Sequence, residues 1–243
     1  MVSSISSTSA STSLLSQAIK AAKSNAVTNS ASSASTSASS SSSSLSSLGG
    51  NFNQFLTLLT TQLQHQDPSN PTSTDSFTAE LAQFAGVQQQ VETNTNLTSL
   101  ISATQDNQMA SAVSLIGKTT TASSSSLPLQ SGAASLSFTA PQAGDVAIAV
   151  TDSSGTVVKS ETVSATTGVN TWKWDGTTNS GTQLTDGAYN VAVEGSSTDG
   201  SSVALPTTVT GLVTGVSKTS TGVDVDMGGA KIDMTDLTGF SGT

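Results

Sequence analysis

The sequence has no cysteine, no arginine, one histidine and 4% aromatic residues, and only 9% of its 243 residues are charged. An ordinary globular domain carries about 25% charged residues. Without cysteine there is no covalent staple, no thiol nucleophile and no thiolate-ligated metal. A single histidine, His65, excludes a multi-histidine metal site and any Ser/His hydrolase built on another imidazole. Without arginine, and with seven scattered lysines, there is no basic patch to contact phosphates, so nucleic acid is not an expected partner. No apolar run approaches the ~18–20 residues that cross a bilayer. The longest, such as Val146–Val150, are strand length, so membrane insertion is not expected. The start lacks the basic, apolar and small-residue segments of a secretory signal peptide.

What is present is acidic and unevenly distributed. The net charge of −9 divides into +2 over residues 1–48, −4 over 49–118 and −7 over 119–243. At 34% hydrophobic residues, the chain has too little apolar surface for one large core. Residues 1–48 are nearly half serine, and the expectation is a disordered tail. Within it Leu14, Leu15, Ala18, Ile19 and Ala22 fall at helical spacing, so Thr12–Val27 is a candidate short helix that forms on a partner.

Gly49-Gly50 end the tail, and residues 49–113 read as helical. Phe52, Phe55, Leu56, Leu59 and Leu63 share one face of a helix. That helix stops before Pro68, because the residue preceding proline avoids the α region, and Asp67-Pro68-Ser69-Asn70-Pro71 is a turn. A second helix starts at Thr72, with Asp75 completing a capping pattern. Phe77, Leu81, Phe84, Gln88 and Val91 follow at helical spacing, with Met109 and Val113 near the same face. Leu97, Leu100 and Ile101 project from nearly the opposite side. Between the two sets lie Thr93-Asn94-Thr95-Asn96, poor helix formers. Either the helix breaks there, or one rod carries two apolar faces. The first face suits a hairpin with the preceding helix, and the second calls for a partner chain.

From about Ser114 the period becomes two. Leu136–Phe138, Val146–Val150, Thr156–Val163, Val169–Trp174 and Tyr189–Val193 read as short strands between Gly/Asp turns, the pattern of an antiparallel sandwich. Val203–Thr210, Leu212–Lys218, Val223–Met227 and Ala230–Met234 follow. Trp172 and Trp174 share a strand side, and one of them anchors the core.

Candidate chemistry is sparse. His65 reads as a surface residue. Asp224-x-Asp226 resembles the start of a calcium loop, but a loop starting there carries Thr235 where the bidentate Glu is needed. With Asp233 and Asp236 it reads as a solvated hairpin. Asp175 and Asp186 are turn residues. No nucleophile, phosphate loop or cofactor fingerprint is present, so no catalytic residue, cofactor or metal is expected.

The stretch FLTLLTTQLQHQDPSNPTSTDSFTAELAQF, Phe55 to Phe84, resembles the bacterial flagellar hook-capping protein family, also called basal-body rod modification or hook assembly proteins. Its pattern is close to FLxLLxxQLxxQDPxNPxxxxxFxxQLAQF, matched here by Phe55, Leu56, Leu58, Leu59, Gln62, Leu63, Gln66, Asp67, Pro68, Asn70, Pro71, Phe77, Leu81, Ala82, Gln83 and Phe84. Glu80 and Ala85-Gly86 depart from it. Leu115-Ile116-Gly117-Lys118 resembles the junction after the helices, and Trp174-Asp175-Gly176, Gly181 and Asp186-Gly187-x-Tyr189 resemble the family's Ig-like domain.

The resemblance covers about residues 50–240. It implies an α+β multidomain chain: the Ser-rich tail (1–48), assembly helices (49–113), a Tudor-like β-barrel from 114–132 plus 199–240, and an Ig/fibronectin III-like sandwich (133–198) inserted in it. It further implies a non-enzymatic protein exported by the flagellar type III apparatus. Such a protein sits at the tip of the growing hook as a ring of five copies, promotes addition of hook subunits and is absent from the finished flagellum. The implied partner surface is Phe52, Phe55, Leu56, Leu59, Leu63, Gln66, Asp67, Pro68, Asn70, Pro71, Phe77, Leu81 and Phe84, with Leu97, Leu100 and Ile101. A secreted surface or adhesion module would explain the tail and sandwich but not the helical motif. A carbohydrate-active enzyme would lack a catalytic domain.

Overall fold

The computed structural model describes residues 4–32, 74–197, 199 and 201–241. Two α-helices, one short 3-10 helix (Met234–Asp236) and thirteen strands occupy them: α1 (Ser4–Ser32), α2 (Thr74–Val113), β1 (Thr119–Ser123), β2 (Ser126–Leu129), β3 (Ala134–Ala140), β4 (Gly144–Thr151), β5 (Val157–Ala165), β6 (Gly168–Trp174), β7 (Gly187–Ser196), β8 (Ser202–Ala204), β9 (Thr207–Leu212), β10 (Gly215–Lys218), β11 (Val223–Met227), β12 (Ala230–Asp233) and β13 (Leu237–Ser241). The fold is α+β with antiparallel sheets. One compact unit comprises residues 1–34 and 105–243, and the other residues 35–104.

The break left open at Thr93–Asn96 does not occur. α2 is one helix of 40 residues, ~60 Å long at 1.5 Å per residue. The hydroxyls of Thr93, Thr95, Thr98, Ser99 and Thr104 each donate to the carbonyl four residues earlier, at 2.8–3.0 Å. Their polar atoms are satisfied inside the helical register instead of competing with it. The expected helix before Pro68, and the hairpin it would form with α2, lie outside the described residues.

The β region is built on two larger sheets. The first runs β13-β1-β9-β3-β6 and the second β2-β7-β4-β5, with β8 on the far end of β7; β10-β11-β12 is a separate meander. This corrects the expected Tudor-like barrel, because the first sheet stays open, with β13 and β6 at its edges. Strand pairing also crosses the boundary expected between the insert and the segments flanking it. β3 (Ser135–Phe138) pairs with β9 (Thr207–Thr210), so both regions share a sheet. They also share one contiguous core, which takes Leu136, Phe138, Ile148, Trp174, Val191 and Val193 from the former and Leu127, Leu129, Val209 and Met227 from the latter. Pro206 separates β8 from β9, since its nitrogen has no proton to give a ladder.

Both tryptophans, not one, are buried. Their rings stack at 6.4 Å, and Trp174 also meets Tyr189 edge-on. Trp172 donates its indole N–H to Glu161, and Trp174 to the carbonyl of Thr177 at 2.9 Å. These bonds are the condition on which indoles tolerate burial.

A second correction concerns the tail. Residues 4–32, expected to be disordered, form α1, which packs on the outer face of β4 and β7. Leu14, Ala18 and Ala22 are buried against Ala147, Ala149 and Ala192, flanked by Leu15 and Ile19. A serine-rich helix is marginal alone, and packing on the sheet supplies what propensity does not. The candidate helix over Thr12–Val27 thus lies within α1, and what covers its apolar side is the chain's own sheet. Residues 33–48 lie outside the described residues.

Candidate partner interface

Among the described side chains of α2, Leu97, Leu100 and Ile101 form the exposed apolar group, at 51%, 64% and 58% exposure, with Val87 and Val113 exposed singly elsewhere on the helix. At 100° per residue the three project within about a 100° sector. From Thr93 to Gln105 the sequence holds no charged side chain. The surface is therefore a greasy stripe set among hydroxyls and amides. It offers a partner apolar anchors without charge to desolvate. Further along the helix Gln105 and Ala112 are buried, and Asp106 accepts from Lys218 at 2.7 Å.

Of the other residues expected at the interface, the backbones of Phe77, Leu81 and Phe84 belong to α2, while their side chains lie outside the described residues. Phe52, Phe55, Leu56, Leu59, Leu63, Gln66, Asp67, Pro68, Asn70 and Pro71 lie outside them entirely, as does His65.

The acidic residues hold turns and edges. Among the described residues no three His, Cys, Asp or Glu side chains gather in a way that could hold a metal ion. Asp186 accepts from the main-chain N–H groups of Ser131 and Gly132 at 2.6 and 2.9 Å. Asp175 accepts from Thr177, whose bonds hold its carboxyl below the usual range. Asp226 accepts from Gly229 N–H at 2.7 Å, and Asp233 from Thr235 N–H at 2.8 Å. Asp224 faces Asp233 across the β11–β12 ladder. Partial burial first, and the Asp233 charge second, push its carboxyl above the usual range.

A second helical interface, absent from the expected site, is the α1 seat. Four side-chain bonds fix its register: Asn25 Nδ2 to Val191 O at 3.0 Å, Asn29 Nδ2 to Asn190 Oδ1 at 2.5 Å, Thr151 Oγ1 to Ala22 O at 3.2 Å and Ser11 Oγ to Asp145 Oδ2 at 2.7 Å. The sequence carries its signal. A strand with solvent on one face alternates apolar and polar residues, whereas Val146-Ala147-Ile148-Ala149-Val150 and Val191-Ala192-Val193 do not. The alanines at the outward positions mark a face that something covers.

Comparison with known proteins agrees with the motif. The family model described as "Flagellar hook capping protein - N-terminal region" matches residues 24–99, and the FlgD Ig-like domain model matches residues 123–199. The basal-body rod modification protein FlgD of Escherichia coli K12 is 33% identical over 186 residues, covering 72% of this chain and 80% of that protein. FlgD of Salmonella typhimurium LT2 gives the same values. A solved structure of FlgD from Xanthomonas campestris is 26% identical and covers 55% of this chain and 99% of that one, with a TM-score of 0.47. By its identity to FlgD proteins across most of their length, with models for both an N-terminal and an Ig-like region matching in order, the chain belongs to the FlgD family of flagellar hook-capping proteins.

Proposed function

We propose that this chain is a hook cap and assembly scaffold, exported by the flagellar type III apparatus to the tip of the growing hook. There it stands as a ring of five copies, guides hook subunits into place and leaves the finished structure. The observation that carries this reading is the uncharged apolar stripe of Leu97, Leu100 and Ile101 on the helix of a hook-capping family member. A surface of this kind is suited to sister copies or incoming subunits. The motif positions from Phe52 to Phe84 are proposed as further partner contacts, on the family resemblance of that stretch. Few anchors among neutral polar groups give contacts that are individually weak, as a cap that shifts with each added subunit requires. The absence of cysteine suits passage through a narrow channel, because no disulfide opposes unfolding.

The test replaces Leu97, Leu100 and Ile101 together with serine in an otherwise wild-type strain. The β region keeps its thermal unfolding, while electron microscopy shows hook growth lost, as in a deletion strain. Normal hooks in the triple variant overturn the proposed surface. Normal hooks in the deletion strain, with adhesion lost, point instead to a surface module.

A further inference from the structure

The outer face of β4 and β7 is a receptor for a helix, and α1 is a ligand that this chain carries for it. Three observations combine. First, the face is made to be covered: its outward residues Ala147, Ala149 and Ala192 are small and apolar, and α1 sits directly on them. Second, α1 is rich in serine and has little helical stability without such a seat; it is held as a helix by Leu14, Ala18 and Ala22 and by the bonds of Asn25 and Asn29. Third, 41 residues separate the end of α1 at Ser32 from the start of α2 at Thr74. Even if the helix expected over Phe52–Leu63 is counted at 1.5 Å per residue, that length of chain has a reach of about 110 Å. The tether does not restrict α1 to the sheet of its own chain.

We propose that α1 exchanges between copies: alone, each chain seats α1 on its own β4–β7 face, and in the assembled state it seats α1 on the same face of a neighbouring copy. The occupant in either case is the α1 of this sequence. Every contact and hydrogen bond of the seat is reproduced in trans, so exchange loses nothing at the interface itself. What selects between the two is the local concentration of neighbouring faces, which rises when copies are held side by side. The interface has one large buried anchor, Leu14, among alanines, so release and recapture are not opposed by a deep core. Exchanged helices would keep copies tethered while other contacts shift. The inference rests on the proposed assembly of several copies, and its test reads α1 directly.

The chain's lack of cysteine makes cross-linking clean. Ser11 and Asp145 touch through their side chains at 2.7 Å, so Ser11→Cys and Asp145→Cys place two thiols together across the seat. A full-length chain carrying both, oxidised in dilute solution, forms an internal disulfide and migrates as a compact monomer. Two full-length chains of different tag length, one with each substitution, are then mixed at high concentration. The expected product is a disulfide-linked heterodimer, lost when Ala18→Asp is added to the Ser11→Cys chain. An internal disulfide in the double variant with no heterodimer in the mixture overturns the exchange. No cross-link in either format overturns the seat itself. Hook growth in the Leu97, Leu100 and Ile101 serine variant is an independent readout. A heterodimer alongside normal hooks overturns the assembly surface and not the exchange, and the reverse result does the opposite.

Discussion

The indole of Trp174 on β6 stands edge-on to the ring of Tyr189 on β7, with ring centroids 5.2 Å apart. The contact joins the two large sheets, and both polar tips are satisfied by nearby carbonyls, Thr177 for Trp174 and Thr185 for Tyr189. Removing the indole leaves a cavity at the junction. Trp174→Ala is expected to cost about 3–5 kcal/mol, read as a lower urea midpoint by circular dichroism. Tyr189→Phe, which deletes only the 2.8 Å bond to Thr185, is expected to cost about 1 kcal/mol. A Trp174→Ala midpoint equal to the parent's would remove this residue from the core.

Gly176 lies in the turn after β6 with φ of +69°, and a Cβ there would stand 3.0 Å from the carbonyl of Gly132 and from Leu129 Cδ1. Backbone conformation and space both require glycine. Gly176→Ala is expected to lower stability by more than the ~1 kcal/mol of a positive-φ substitution in open space. Gly181→Ala, with φ of +84° and nothing within 4 Å, is the reference. Equal thermal shifts for the two would refute the steric part of this argument.

Two carboxylates give opposite dependences on pH. The carboxyl of Asp224 is raised by burial and by Asp233 above the ordinary value near 3.8. Its protonated form is thus favoured by folding. The associated stability is fully present below the ordinary value and lost as pH rises through the folded one. Asp224→Asn is expected to raise the melting temperature at neutral pH and to lose that advantage in acid. Asp152 is the reverse: burial raises its carboxyl, but bonds from Ser154, Thr156 and Gly155 outweigh this and hold it below 3.8. Its contribution is present above that value and lost as pH falls through the folded one. Asp152→Asn is therefore expected to destabilise at neutral pH and converge with the parent in acid. Melting curves across pH test both signs, and parallel curves for parent and variants would contradict them.

Leu14 is the large anchor of α1, buried to 5% exposure. Leu14→Ser removes that anchor, and α1 is expected to lose protection from amide hydrogen exchange over residues 11–29 while β4 and β7 keep theirs. Loss of protection throughout the sheets would mean that α1 folds as one unit with them.

Much of the β region is legible as pattern. β6, β11 and β12 lie where period two and Gly/Asp turns put them, because each alternates against a core, whereas β4 and β7 are buried on both faces and are legible as continuous apolar runs between turns. The strands β1 (Thr119–Ser123) and β13 (Leu237–Ser241) have no comparable signal. Their residues are mostly small and polar, and it is pairing with each other and with β9 that makes them strands. At the interface, the face of Leu97, Leu100 and Ile101 is visible from spacing alone. The unbroken helix beneath it is not, since propensity alone does not reveal that the hydroxyls of Thr93 and Thr95 bond within the helical register instead of competing with it.

By itself, the sequence determined the family, through its dense motif between Phe55 and Phe84. It also determined the helical and pleated periods and the exclusion of thiol and multi-histidine chemistry, because each depends on residue identity and local spacing. Only the tertiary structure decided that Ser4–Ser32 is a helix and that the sheet holding β3 and β9 is open and shared. It alone placed α1 on β4 and β7. Those outcomes depend on which distant surfaces meet: Leu14 and Ala149 are far apart in the chain, and no local pattern states that one will cover the other.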